Sequence, residues 1–155
     1  MNSNAHYKLL ITLFYTFDNL IKQAHYHSKI RALTWLKRFR TDIVFDSLYP
    51  NVHDAQLATH ECNKHIIENF KDCFYHSLIF LKEYAQTGDI TNESLINKLY
   101  KKKIITSYHY KSLLWTIKNI DTLCNACDEQ GKCIVSTKLI ESYRVIHEIV
   151  IKLNL

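Results

Sequence analysis

Residues 124–133, CNACDEQGKC, hold three of the five cysteines, Cys124, Cys127 and Cys133, with Gly131 between the last two. A Cys-x-x-Cys pair is half of a zinc knuckle, and a four-ligand shell needs a second pair or closely spaced histidines. Only Cys133 follows nearby, and the next histidine, His147, belongs to a later segment. Thiol redox chemistry would want the motif at a helix N-terminus, where the dipole favours thiolate. Instead the apolar series Leu113, Ile117, Ile120 steps on to Cys124 and Cys127 by fours and threes. Both cysteines are therefore expected near the C-terminal end of a helix, sulfurs inward, with Gly131 in the left-handed position that stops it. Metal ligation by Cys124, Cys127 and Cys133 is the lesser alternative, and no cofactor is expected.

A second constellation, Glu61, His65, Glu68, Asp72 and His76, repeats at helical spacing. Carboxylates and imidazoles on one helix face serve metal-binding bundles when they point inward. At about 100° per residue, this ladder falls in an arc of ~80° nearly opposite Ile66, Phe70 and Cys73. It should face water. Glu61 is followed three residues later by Lys64, so the inward Glu-x-x-His pair is missing as well.

Basic and aromatic side chains interleave in HYHSKIRALTWLKRFR, with Lys29, Arg31, Lys37, Arg38 and Arg40 around Trp35. A second cluster, KKKIITSYHYK, has Lys101, Lys102 and Lys103 before Tyr108 and Tyr110. Such mixtures meet phosphates and unstacked bases in nucleic-acid complexes. They also solvate the outer faces of ordinary amphipathic helices, and no groove-reading motif accompanies them. For catalysis there is no Gly-rich phosphate loop, Gly-x-Ser-x-Gly elbow or His-Glu-x-x-His helix. Arg144, His147 and Glu148 form a polar cluster that suits an exposed helix end, so no enzyme is expected.

The elements that would position these groups are helices. Two glycines and one proline in 155 residues are too few for the turns of an all-β fold. Hydrophobic residues make up 47% and charged residues 23%, a globular balance. The expected fold is an all-α, single-domain bundle of four to six helices over residues 1–155, packed mostly antiparallel. Its first stripe is Leu10, Leu13, Phe17, Leu20 and Ala24, its second Ala32, Leu36, Phe39 and Ile43. A bend near His25–Ser28, with Ser28 as N-cap, is expected between them, a single long helix being the alternative.

A third helix over about 54–86 would start at Asp54 and stop at Gly88, burying Cys62, Ile66, Phe70, Cys73, Ser77, Phe80 and Tyr84. A short helix from Thr91 carries Leu95, Ile96 and Leu99 and ends in Lys101–Lys103, where positive charge suits the dipole. Thr106 or Ser107 caps the next helix. The last runs from Ser136 through Leu139, Tyr143, Ile146, Val150 and Leu153.

The opening residues lack the features of a signal peptide, and no run of about eighteen apolar residues exists for a membrane span. A cytosolic location follows, the host cytosol if the chain is viral or secreted without a classical signal, with its cysteines reduced. The net charge of +5 permits anionic partners without requiring them. Ten tyrosines exceed what a core of this size needs, and tyrosine suits contact surfaces. The leading expectation is a non-catalytic protein-interaction bundle: a regulator, an antitoxin or immunity-type inhibitor, or a host-interaction factor. A basic bundle that binds RNA or DNA is the alternative. A homodimer also stays open, because a second copy can complete such seams.

Overall fold

The computed structural model describes the backbone of residues 3–38, 52–127, 131 and 133–155, and side chains within 5–24, 60–127, 131 and 133–155. Among these residues the chain is all-α: α1 (Ser3–Arg38), α2 (Val52–Ala85), α3 (Asn92–Lys101), α4 (Ser107–Cys124) and α5 (Thr137–Leu153). The side chains of Lys29, Arg31, Trp35, Lys37 and Arg38, and the whole of Arg40, lie outside the described residues. So does the expected stripe of Ala32, Leu36, Phe39 and Ile43.

The expected bend at His25–Ser28 is absent, and α1 runs through it as one helix. Neither glycine nor proline interrupts residues 3–38. Extending a helix is easy where starting a new one is not, so a serine with capping potential does not suffice to break it. The start of α2 at Val52 likewise puts Asp54 inside the first turn rather than at the cap.

Side-chain caps set the later helix starts. The hydroxyls of Thr91, Thr106 and Ser136 accept the N–H groups of Ser94, His109 and Leu139 at 3.2, 3.1 and 3.1 Å. Each satisfies one of the orphan donors of a first turn.

The end of α2 differs from expectation. Gln86, at φ 52°, takes the left-handed position, its N–H donating to the Glu83 carbonyl while that of Thr87 reaches Lys82. This is a Schellman closure with a side-chain-bearing residue at the glycine position, and Gly88, at φ 70°, belongs to the loop beyond. Lys103, at φ 59°, ends α3 in the same way, with Ile104 bonded to Leu99. Gln86→Gly is therefore expected to stabilise by about 1 kcal/mol. Thermal unfolding followed by circular dichroism should show a rise of about 2–4 °C.

The apolar seams meet in one core cluster. Leu10, Phe14 and Phe17 of α1 pack with Ile66, Phe70, Cys73, Phe74 and Leu81 of α2, Leu95 and Leu99 of α3, Leu113 of α4, and Leu139, Tyr143, Ile146 and Val150 of α5. The expected stripe of α2 is buried except for Tyr84, which is exposed near the helix end, and Ile67, Phe74, Leu78 and Leu81 widen it. Because α2 touches α1, α3, α4 and α5, it needs a broader apolar face than a single seam.

Polar contacts fix the register. His6 pairs with Glu83 at 3.1 Å and Asn69 Nδ2 donates to the Leu13 carbonyl at 3.1 Å, so α1 and α2 run antiparallel. On the next carbonyl along α1, the Tyr143 hydroxyl lies 3.0 Å from Phe14 O and 2.8 Å from Asp18 Oδ1. Its one proton serves either acceptor, and the phenol ties α5 to α1. Between α4 and α5, the buried hydroxyls of Thr116 and Ser142 meet at 2.7 Å.

Candidate interaction surface

Among the described residues the core fully buries one tyrosine, Tyr143, which is 2% exposed. Outside it, Tyr15 and Tyr108 are 70% and 55% exposed, and Tyr75, Tyr84 and Tyr100 also face solvent. Aliphatic residues accompany them. Ile11 stands one turn from Tyr15 on α1, Leu9 is exposed on another side of that helix, and Ile79 stands one turn from Tyr75 on α2.

The ties at His6–Glu83 and Leu13–Asn69 bracket this region, so Leu9 lies level with the α2 turn carrying Tyr75 and Ile79. Helical phase explains the exposure. Tyr75 and Ile79 belong to the polar arc of α2, with Glu68, Lys71 and Asp72, away from Phe70, Phe74 and Leu78. Tyr75 meets the Phe74 ring edge-on at 6.0 Å, yet it and Ile79 each remain 41% exposed on an otherwise charged face.

The acid and imidazole ladder sits on that same side. Glu61, His65, Glu68 and Asp72 are exposed and His76 is half-buried. Within the ladder, His65 pairs with Glu68 at 3.8 Å. Among the described residues, no three His, Cys, Asp or Glu side chains gather closely enough to hold a metal ion.

Lys101, Lys102 and Lys103 are all exposed at the end of α3. Beside them the rings of Tyr100 and Tyr110 stack at 4.3 Å, and the Tyr110 hydroxyl donates to Asn97 Oδ1 at 2.6 Å. Acidic groups of α5 temper the next turn. Tyr108 donates to Glu141 at 2.9 Å, a bond that raises the phenol's pKa, and His109 Nε2 lies 3.1 Å from Glu148. Lys138 sits 5.4 Å over the Trp115 ring and 3.8 Å from Glu141. Beyond the lysine triplet, the cluster is thus tempered by Glu141 and Glu148.

The cysteine stretch departs from expectation. Helix α4 ends at Cys124, with Asn125 as its C-cap, so Cys127 lies past the helix and is exposed. Asparagine bonds readily to nearby backbone and is a poor helix interior residue, which favours the stop one turn early. Cys124 does pack against the core, and burial raises its thiol pKa. Gly131 is left-handed at φ 77°, but in a loop rather than at a helix end.

Near the C-terminal end of α5, His147, Glu148, Ile151, Lys152 and Leu155 line an open cavity of ≈ 390 Å³. The His147 ring packs at a tilt against Phe14, centroids 4.5 Å apart, so of the Arg144, His147 and Glu148 cluster the imidazole is a packing group. No described helix is long and apolar enough to cross a membrane.

Two features were not anticipated from the sequence. The Tyr100–Tyr110 stack depends on how α3 and α4 fold back on each other, and no local signal marks it. Pairing of Cys127 with Cys133 had a cue in the glycine-containing stretch between them, which is a hairpin signal. Compared with protein-family models, curated proteins and solved structures, the chain matches none.

Proposed function

We propose that the chain is a non-catalytic helical module that binds another protein. The observation that carries this is the placement of tyrosines: among the described residues Tyr15, Tyr75, Tyr84, Tyr100 and Tyr108 are exposed on the outer faces, while Tyr143 is the one tyrosine fully buried in the core. Exposed aromatics beside aliphatic residues supply large, stiff contact area at low entropic cost, as in the energetic centres of interfaces. The net charge of +5 favours a partner with an acidic surface. A regulator or an inhibitor of the antitoxin or immunity type fits this chemistry.

A second reading, nucleic-acid binding, is favoured by one feature: three exposed lysines beside the Tyr100–Tyr110 stack. Lysines track phosphates and tyrosines accept bases. Against it, Glu141 and Glu148 occupy the neighbouring Tyr108 and His109.

Salt and nuclease separate the two. The immobilised full chain, exposed to lysate from cells that express it, should retain a protein in near-stoichiometric amount after nuclease treatment and a wash at about 0.3 M salt. Retention that nuclease abolishes, together with binding of a labelled RNA or DNA pool that Lys101–Lys103→Ala removes, would overturn the protein-binding reading.

A further inference from the structure

Cys127 and Cys133 oppose each other in an antiparallel bridge, isolated among the described residues. The Ile134 N–H donates to the Ala126 carbonyl at 3.1 Å, one residue outside the pair on each side. Cys127 and Cys133 are therefore a non-hydrogen-bonded pair, in which Cα atoms lie about 4.5 Å apart and both side chains leave on one face. That spacing falls within the roughly 4.4–6.8 Å a disulfide spans.

Cys133 is held from outside the loop. Its N–H donates to His60 Nδ1 at 3.1 Å and its carbonyl accepts Asn63 Nδ2 at 3.0 Å, both from α2. Cys127 is exposed, its thiol 3.5 Å from the Asn125 carbonyl. One sulfur is open to reagent and the other waits on a fixed backbone.

We infer that Cys127 and Cys133 form a reversible dithiol–disulfide pair, a modification site for a small-molecule disulfide such as glutathione disulfide. Cys127 gives its proton to water and attacks one sulfur of the reagent. The reagent's S–S bond breaks, and one glutathione leaves as thiolate and takes up a proton. Cys133 then loses its proton, attacks the Cys127 sulfur of the mixed disulfide and releases the second glutathione. Two protein thiols are oxidised to one disulfide, and one glutathione disulfide is reduced to two thiols.

Other cysteines do not compete. Cys62 and Cys73 are buried, and Cys124 is half-buried with burial favouring its protonated form. Closing so short a loop, already anchored to α2, should raise Tm by roughly 5 °C.

The test is equilibration of the full chain in glutathione buffers, alkylation, and mass spectrometry of the intact protein and its peptides. Loss of two hydrogens with a Cys127–Cys133 cross-link is expected, reversed by excess reduced glutathione. Cys124→Ser should behave as wild type, and Cys127→Ser or Cys133→Ser should not cross-link. A persistent glutathione adduct on Cys127, a cross-link through Cys124, or no cross-link at any buffer ratio would overturn the pair. The wild-type peptide map decides this even if a variant folds poorly.

Discussion

Phe17→Ala is expected to cost about 3–5 kcal/mol of stability, a large part of what a domain of this size has. Phe17 is 0% exposed, stacks on Tyr143 at 3.9 Å and meets Phe70 at 6.3 Å, so it touches α5 and α2 at once. Removing the ring forfeits its transfer energy and leaves a cavity bounded by other rigid rings that cannot collapse into it. Tyr143→Phe makes a useful contrast. It keeps the stacked ring and loses only the hydroxyl that reaches Phe14 O and Asp18, for a cost of about 1 kcal/mol. Urea unfolding should show both as lower midpoints at an unchanged slope. A Phe17→Ala cost below that of Tyr143→Phe would mean that α1 does not pack as described.

Alkaline pH should unfold the protein through Cys73. Burial, with Asp72 and Asp18 adding repulsion and the Asn69 amide partly offsetting them, pushes this thiol from 9.0 up to about 12. The folded state then holds the proton more tightly than the unfolded one. The resulting stability is fully present below pH 9 and is lost as pH rises towards about 12, at a limiting slope of roughly 1.4 kcal/mol per pH unit. Tyr143, raised first by burial and then by its bond to Asp18, contributes to the same limb. Cys73→Ala should make the alkaline fall shallower while Tyr143 still acts. Urea midpoints measured from pH 7 to 11 check this, and equal slopes for the two proteins would contradict it.

Helical periodicity carried most of the fold. Leu10, Phe17, Ile66, Phe70, Leu95, Leu99, Leu113, Leu139, Tyr143 and Val150 are all buried where a three-and-four spacing puts them. The helix starts near Thr91 and Ser136 were legible locally, and of the two candidate caps Thr106 and Ser107 the structure uses Thr106. What escaped was non-local or a close contest. Phe14 and Phe74 are core because α1 and α2 each bury a face wider than one seam. Gln86 takes a left-handed turn that glycine two residues later would have been expected to provide. Cys127 continues an apolar register, yet the helix stops before it and a backbone bridge claims it.

The candidate surface was less legible than the core. Tyrosine abundance pointed to it, but a tyrosine's exposure depends on helix phase and on which neighbours cover it. Tyr84 sits in register with the buried stripe of α2 and is nonetheless exposed, because it lies near the end of the helix. Tyr75 shows the converse, an aromatic on the charged arc that meets Phe74 edge-on at 6.0 Å and is still 41% exposed.

Comparing wild type with the double variant Tyr75→Ser and Ile79→Ser in the capture experiment tests the central claim most directly. Both residues lie on the outer face of α2, so the variant should keep its circular dichroism spectrum and unfold at a similar temperature. Retention of the nuclease-resistant protein partner should fall at least about tenfold, the loss of roughly 1.4 kcal/mol or more at an interface centre. Undiminished capture by this variant and by the corresponding Ser variants of Tyr15, Tyr84, Tyr100 and Tyr108 would contradict a tyrosine-built interaction surface.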